Sequence, residues 1–276
     1  MPKNIILNSL KETFASIWKN KSLIILLFIL QIVFLILFSF ISYNYIQKMV
    51  KSQMAIEDYL SNIKLDEISV ASNMLEQKSI LGDDPLLISR NFNEIVKNFR
   101  IYLIYIFILL VFSASLFWAI TNKMMHKLGF KELMGNFLNI FVILLFYLSL
   151  IFAFFFSLLN ISLTGVAAES SKLLTKYVPF LIFSIILLYF MFVSMSLTHS
   201  TELKNIVQKT LKIGVKKMHY IVSVYFINVL LFAVSIFLLY YFMERNLFIL
   251  LLSMILILFS FIFGRIFLVD VVKRLD

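Results

Sequence analysis

Six stretches of the chain run for about a membrane's thickness without an acidic or basic residue: 22–47, 101–122, 133–168, 177–201, 218–243 and 246–264. A helix needs about 20 mostly apolar residues to cross the hydrocarbon of a bilayer. Every run is long enough, and all are continuously apolar rather than alternating, which excludes a membrane β-barrel. The pattern predicts an all-α, polytopic integral membrane protein with six transmembrane helices. Their expected bounds are 22–47, 101–122, 136–163, 177–198, 218–243 and 246–268. The first run resembles a secretory signal only superficially. It starts after 21 residues, is too long, and ends FSFISYNY without a small-residue cleavage site, so it reads as a retained anchor.

The connections differ in length. Residues 48–100 form a long extracytoplasmic loop with helical periodicity in Met54, Ile56, Tyr59, Leu60 and Ile63, and again in Val70, Met74 and Leu75. A turn is expected at Gly82, Asp83, Asp84 and Pro85. A helix over 91–100 then feeds into the second span. The loop therefore reads as a small helical cap on the outer ends of the spans. Residues 164–176 form a short outer loop, and Glu244 and Arg245 make a tight turn.

The segments before the odd-numbered spans are amphipathic. Leu10, Phe14, Ile17 and Trp18 share a stripe opposite Lys11, Glu12 and Lys19. Phe130, Leu133 and Met134 oppose Lys131 and Glu132; Val207, Leu211, Gly214 and Val215 oppose Gln208, Lys209, Lys212 and Lys216. The registers match, with Phe14-x-x-Ile17-Trp18-x-Asn20, Phe130-x-x-Leu133-Met134-x-Asn136 and Leu211-x-x-Gly214-Val215-x-Lys217. Interfacial helices are expected at 1–21, 123–135 and 199–217, and a tail at 269–276, with a threefold helix-span-span repeat.

Charge orients this arrangement. The side holding both termini has 15 basic and 5 acidic residues, and the other side has ten of each. All of the net charge of +10 therefore lies beside span ends on one face, which the positive-inside rule makes cytoplasmic. Anionic headgroups are the expected partner of these lysines. Nucleic acid is not, because no aromatic platform or recognition helix accompanies them. Composition agrees: 62% of residues are hydrophobic and mean hydropathy is +0.97, more apolar surface than a soluble fold of 276 residues can hide.

The opening SLKETFASIWKNKSLIILL and the hairpin layout resemble a loosely defined set of uncharacterised prokaryotic membrane protein families, mainly archaeal and bacterial. The resemblance covers the whole chain and implies a location and a fold, with nothing catalytic. Twenty lysines against five arginines, with abundant Ile, Phe and Asn, match an AT-rich prokaryotic genome.

Few residues offer chemistry. Cysteine is absent. His126, His199 and His219 lack HExxH spacing and read as interfacial histidines. Among polar residues in the spans, Gln31 and Asn228 are the most costly and require partners. The serines, including Ser42, Ser115, Ser194 and Ser196, read as hydrogen bonds between helices. Small-residue stripes at Ser149, Ala153 and Ser157, and at Ser253, Ser260 and Gly264, predict close helix contacts. The first stripe makes the third span the expected centre of the bundle. Arg265 and Asp270 read as an ion pair at a cytoplasmic helix end.

No catalytic, cofactor-binding or metal-binding residue follows from this pattern, and no cofactor. The expected function is a non-enzymatic membrane protein of structural or accessory type that organises lipid or a membrane partner, in the cell (plasma) membrane with both termini cytoplasmic. The alternative is a permease-like subunit of an ATPase-coupled transporter. Exporter permeases of that class resemble the chain in span number and in their opening amphipathic helix. Residues 122–135 or 202–217 would then form the coupling helix.

Overall fold

The computed structural model describes residues 5–62, 86–165, 170–198, 203–242 and 247–276. Eight helices occupy them: α1 (Ile5–Lys19), α2 (Lys21–Asn62), α3 (Leu86–His126), α4 (Phe130–Gly165), α5 (Ser170–Ser196), α6 (Leu203–Lys216), α7 (Met218–Phe242) and α8 (Leu247–Leu275). Six of them, α2–α5, α7 and α8, are long and apolar enough to cross a membrane. The protein is an all-α polytopic membrane protein.

The chain divides into two compact units. One comprises residues 33–110. Here α2 and α3 run on past the apolar stretches without a break. At 1.5 Å per residue, the 42 residues of α2 extend about 63 Å, roughly twice the hydrocarbon thickness. Residues 48–62 of the expected cap therefore continue the first span, and residues 86–100 continue the second. The helix expected over 91–100 does lead directly into the second span. Within this unit Ser42 Oγ and Tyr102 OH share a hydrogen bond at 3.1 Å, and Tyr45 packs on Tyr102 and Tyr105. The periodic segment 69–79 and the turn at 82–85 lie outside the described residues.

The other unit comprises residues 1–32 and 111–276, and its axis is α8. Every residue from Ile266 to Val272 is buried, including Asp270. A helix buried on all sides over two turns must be encircled. α7, α1 and α5 all pack against α8, with α7 making the most extensive contact. The third span does not hold the centre. Ser149 and Ala153 on α4 are exposed, and Ser157 is outside the side chains described. The close approach instead occurs on α8. There, a Cβ added at Gly264 meets Asn228 Cγ at 3.1 Å and Nδ2 at 3.2 Å. The same Asn228 Nδ2 donates to the Gly264 carbonyl at 3.2 Å. The amide is thus held where a methyl group would go.

A packing contrast follows. Gly264→Ala should destabilise the bundle by about 1–3 kcal/mol, the usual cost of overpacking. Ala153→Leu, at an exposed position, should change stability by less than about 0.5 kcal/mol. Thermal unfolding in detergent micelles measures both. A larger loss at position 153 than at 264 would return the centre to α4.

Two short helices, α1 and α6, stand apart from the spans. α1 and α6 are each followed by a one-residue break, at Asn20 and Lys217. The backbone bonds across the two breaks correspond: Asn20 N to Ser16 O at 3.0 Å and Leu23 N to Asn20 O at 3.1 Å, against Lys217 N to Ile213 O at 2.9 Å and Tyr220 N to Lys217 O at 3.1 Å. This is the register that aligns Phe14 with Leu211. The segment 123–135 differs and contains no helix of its own. α3 continues to His126, Lys127 turns the chain at a positive φ of 54°, and α4 begins at Phe130. Glu132 Oε2 accepts from Gly129 N at 2.9 Å, capping the new helix from its third position. With a cap and a tight turn in place, the amphipathic stretch is absorbed into the first turns of α4. Of the three short amphipathic helices expected, two exist as separate elements among the described residues.

Candidate functional site at the basic end of the bundle

The ends of α3, α5 and α8 converge with α1 and α6 at one end of this unit, and the sequence's basic surplus lies there. Helix C-termini present unpaired carbonyls and a partial negative charge, which cations complement. Lys273 Nζ donates to Met125 O of α3 at 3.2 Å, and Lys217 Nζ donates to Leu275 O of α8 at 2.9 Å. Lys209 forms an ion pair with Asp276 at 2.6 Å. Some of the lysines marking this side by charge are therefore structural ties.

α1 and α6 each present three faces. Ser9 and Thr13 of α1 are buried toward the bundle, and Ile206, Thr210 and Ile213 of α6 occupy the corresponding face. Beside that face runs an apolar stripe left open: Phe14 and Trp18 on α1, and Val207, Leu211 and Val215 on α6. Lys11, Glu12, Lys19, Lys204, Lys212 and Lys216 are also exposed. Gly214 belongs to the buried face and not to the stripe expected from periodicity. A Cβ there would meet Phe190 Cε1 at 2.9 Å, and Tyr189 OH donates to its carbonyl at 2.7 Å. Thr210 Oγ1 and Ser194 Oγ lie 3.2 Å apart, joining α6 to α5.

An ion triad joins α1 to α8. Arg274 Nη2 lies 2.6 Å from Glu12 Oε2, and Arg274 Nε lies 2.9 Å from the buried Asp270 Oδ2. The expected Arg265–Asp270 pair is not what forms. Five residues on a helix amount to about 140° of rotation, so the two side chains diverge, and Asp270 takes the Arg274 four residues on.

Arg265 instead enters the bundle. Its guanidinium lies over the Phe117 ring at 4.9 Å. The Gln31 amide satisfies both neighbours in one orientation: its nitrogen donates to Leu258 O at 3.2 Å, and its oxygen accepts from Arg265 Nη2 at 3.1 Å. Gln31 is thus an interhelical bridge. Arg265 is half-buried, and its Nε is buried without a hydrogen-bond partner.

A neutral cluster joins the neighbouring helix ends. Asn122 Nδ2 donates to Met195 O at 3.1 Å and Thr198 Oγ1 at 3.0 Å, and lies 3.4 Å from Asn136 Oδ1. Thr198 Oγ1 in turn lies 2.8 Å from Asn136 Oδ1. All three side chains are buried, and they tie the ends of α3 and α5 to the start of α4.

Ser42 and Ser194 do join helices, through Tyr102 and Thr210, but most serines do not. Ser115, Ser149, Ser194, Ser196, Ser223, Ser235, Ser253 and Ser260 each donate to a carbonyl three or four residues earlier on their own helix. A hydroxyl in a helix reaches that carbonyl more easily than a neighbouring helix. Bonds between helices fall mainly to amides and tyrosines. Of the histidines, His126 ends α3, His219 starts α7 against Tyr220, and His199 lies outside the described residues, as do Asp83 and Asp84. Among the described residues no three His, Asp or Glu side chains gather as a metal site.

These features define an integral membrane protein of six spans, with two short amphipathic helices bonded to one end of the bundle. Comparison with family models, curated proteins and solved structures finds no match for the chain.

Proposed function

We propose that this chain is a non-enzymatic, structural or accessory membrane protein that organises lipid at the face holding both termini, and that this face is cytoplasmic. One observation carries the reading. α1 and α6 are built alike, each with a protein-facing side, an open apolar stripe and exposed lysines, and both are bonded to the C-terminal end of α8. An apolar stripe beside a basic face suits the boundary between acyl chains and headgroups. The charge surplus of this face supports its cytoplasmic placement. A membrane protein partner seated on the same stripes is the companion reading. The alternative of an ATPase-coupled permease subunit draws on α6, whose lysine-rich face between two spans has the form of a coupling helix.

The chain has no cysteine, so single cysteines can carry spin labels without background. Labels at Phe14 and Leu211 are expected to collide with oxygen dissolved in the bilayer. Labels at Lys11 and Lys212 are expected to collide with a water-soluble nickel chelate. Equal exposure of both pairs to the chelate would remove the interfacial reading.

A further inference from the structure

We propose that α1 is a reversible latch: it closes on α8 and opens by pivoting at Asn20, whereas α6, built alike, stays docked. The first argument compares the two buried faces in one register. Aligning Phe14 with Leu211 places Ser9 on Ile206 and Thr13 on Thr210. All four residues are buried. On α6 the first position is apolar, and the Thr210 hydroxyl meets Ser194 Oγ at 3.2 Å. On α1 both residues are 0% exposed, yet neither Ser9 Oγ nor Thr13 Oγ1 has a hydrogen-bond partner among the described residues. A stranded hydroxyl opposes burial, because water or a carbonyl of its own helix satisfies it in the open form. Ser115 and Ser194 bond their own helices in that way.

The second argument is the tie. α6 is held by Lys209 on Asp276 at 2.6 Å and by Tyr189 OH on the Gly214 carbonyl at 2.7 Å. α1 is held by Glu12 on Arg274, and the Glu12 side chain is 61% exposed, where an ion pair contributes little. Arg274 keeps Asp270 at 2.9 Å when Glu12 departs, so opening strands no charge on α8. Phe14 stacks on Phe263 at 5.1 Å but stays more than half exposed, so little apolar contact is lost with it. The third argument is the pivot. Asn20 N and Asn20 Nδ2 both donate to Ser16 O at 3.0 Å, and Asn20 O accepts from Leu23 N and Ile24 N at 3.1 Å. These bonds from the two helices end on Asn20, so α1 can swing about it as an intact helix.

The interfacial reading of the Phe14 and Trp18 stripe supplies only the surface on which the open α1 rests. The full chain has no cysteine, so Ser9→Cys and Ile206→Cys report on the two buried faces separately. Each variant is reconstituted in nanodiscs of phosphatidylcholine and phosphatidylglycerol, and its reaction with a water-soluble maleimide is followed by intact mass. Ser9→Cys should react about tenfold faster than Ile206→Cys. Adding Thr13→Val to Ser9→Cys removes the remaining stranded hydroxyl and should slow the reaction about fivefold or more. Adding Glu12→Gln should speed it a few-fold. Hydrogen–deuterium exchange of the unsubstituted chain guards against a variant that fails to fold: the amides of α1 should exchange about tenfold faster than those of α6. Equal exchange in α1 and α6, equal protection of positions 9 and 206, or a Thr13→Val rate as fast as its parent would overturn the latch. The spin-label result is independent. A protected position 9 beside an interfacial Phe14 rejects the latch alone. A reactive position 9, with Phe14 and Lys11 equally open to the chelate, supports the latch and rejects the interfacial reading.

Discussion

Arg274→Met should lower stability by about 2–3 kcal/mol and release α1 from the bundle. Arg274 is the shared partner of Glu12 and of the buried Asp270, whose carboxylate is 3% exposed. Removing one member of a buried pair leaves the other charge desolvated and unmatched, at a cost of about 3–5 kcal/mol when burial is complete. The guanidinium here is 27% exposed, so the loss falls below that range. Asp270→Asn combined with Arg274→Met should recover much of it, because no charge is then stranded. Glu12→Gln, at the exposed end of the triad, should cost under about 1 kcal/mol. Arg274→Lys should not substitute, since a single ammonium cannot present separate donors to two carboxylates. Thermal unfolding of the four variants, with protease cleavage between α1 and α2 as the report on release, checks the series. An Arg274→Met protein as stable as the parent would remove the triad from any part in holding α1.

Asn122→Ala should cost about 2–3 kcal/mol. The amide nitrogen serves Met195 O and Thr198 Oγ1, with Asn136 Oδ1 at the edge of bonding distance. A net hydrogen bond contributes about 1 kcal/mol, and stranding a buried acceptor adds about 1–3 kcal/mol. Asn136 and Thr198 retain each other in the variant, which limits the loss. Thr198→Val keeps the shape and drops the hydroxyl, so it should cost about 1–2 kcal/mol. The sum of the two single losses should exceed that of the double variant, because both act on one network. Additive losses in thermal unfolding would mean that the cluster does not act as a unit.

The six spans were legible because a charge-free run of some 20 residues has few readings other than a membrane helix. The grouping of the termini with the segments near 125 and 204–217 was legible from lysine placement, and Lys273 on Met125 and Lys209 on Asp276 bring those segments together. The packing was not legible. Ser149 and Ala153 have the spacing of a helix contact, yet spacing alone cannot tell which side of a span meets protein and which meets lipid. Gly264 satisfied the same rule and is in contact because Asn228 stands opposite.

The candidate site escaped for a related reason. Asn122, Asn136 and Thr198 each lie near the end of an apolar run, where a polar residue reads as the onset of water. The available clue was their recurrence at the same end of three consecutive spans. Arg265 was misassigned because it adjoins Asp270 in sequence, although a helix turns the two apart. Residues 48–62 were read as part of a cap, whereas α2 continues through them; the helix over 91–100 was read as leading into the second span and does so.

The contact between α1 and α8 has a consequence for assembly. Glu12 and Arg274 stand at opposite ends of the described chain, so α1 cannot dock until every intervening span has been inserted. Until then Ser9 and Thr13 have no wall to face. On the interfacial reading proposed above, the stripe at Phe14 and Trp18 keeps α1 on the bilayer surface meanwhile, at the level where α8 will arrive. Its final move is then a short slide in two dimensions rather than a search through solution, and the closure entropy of so long a loop is largely replaced by confinement to the membrane plane.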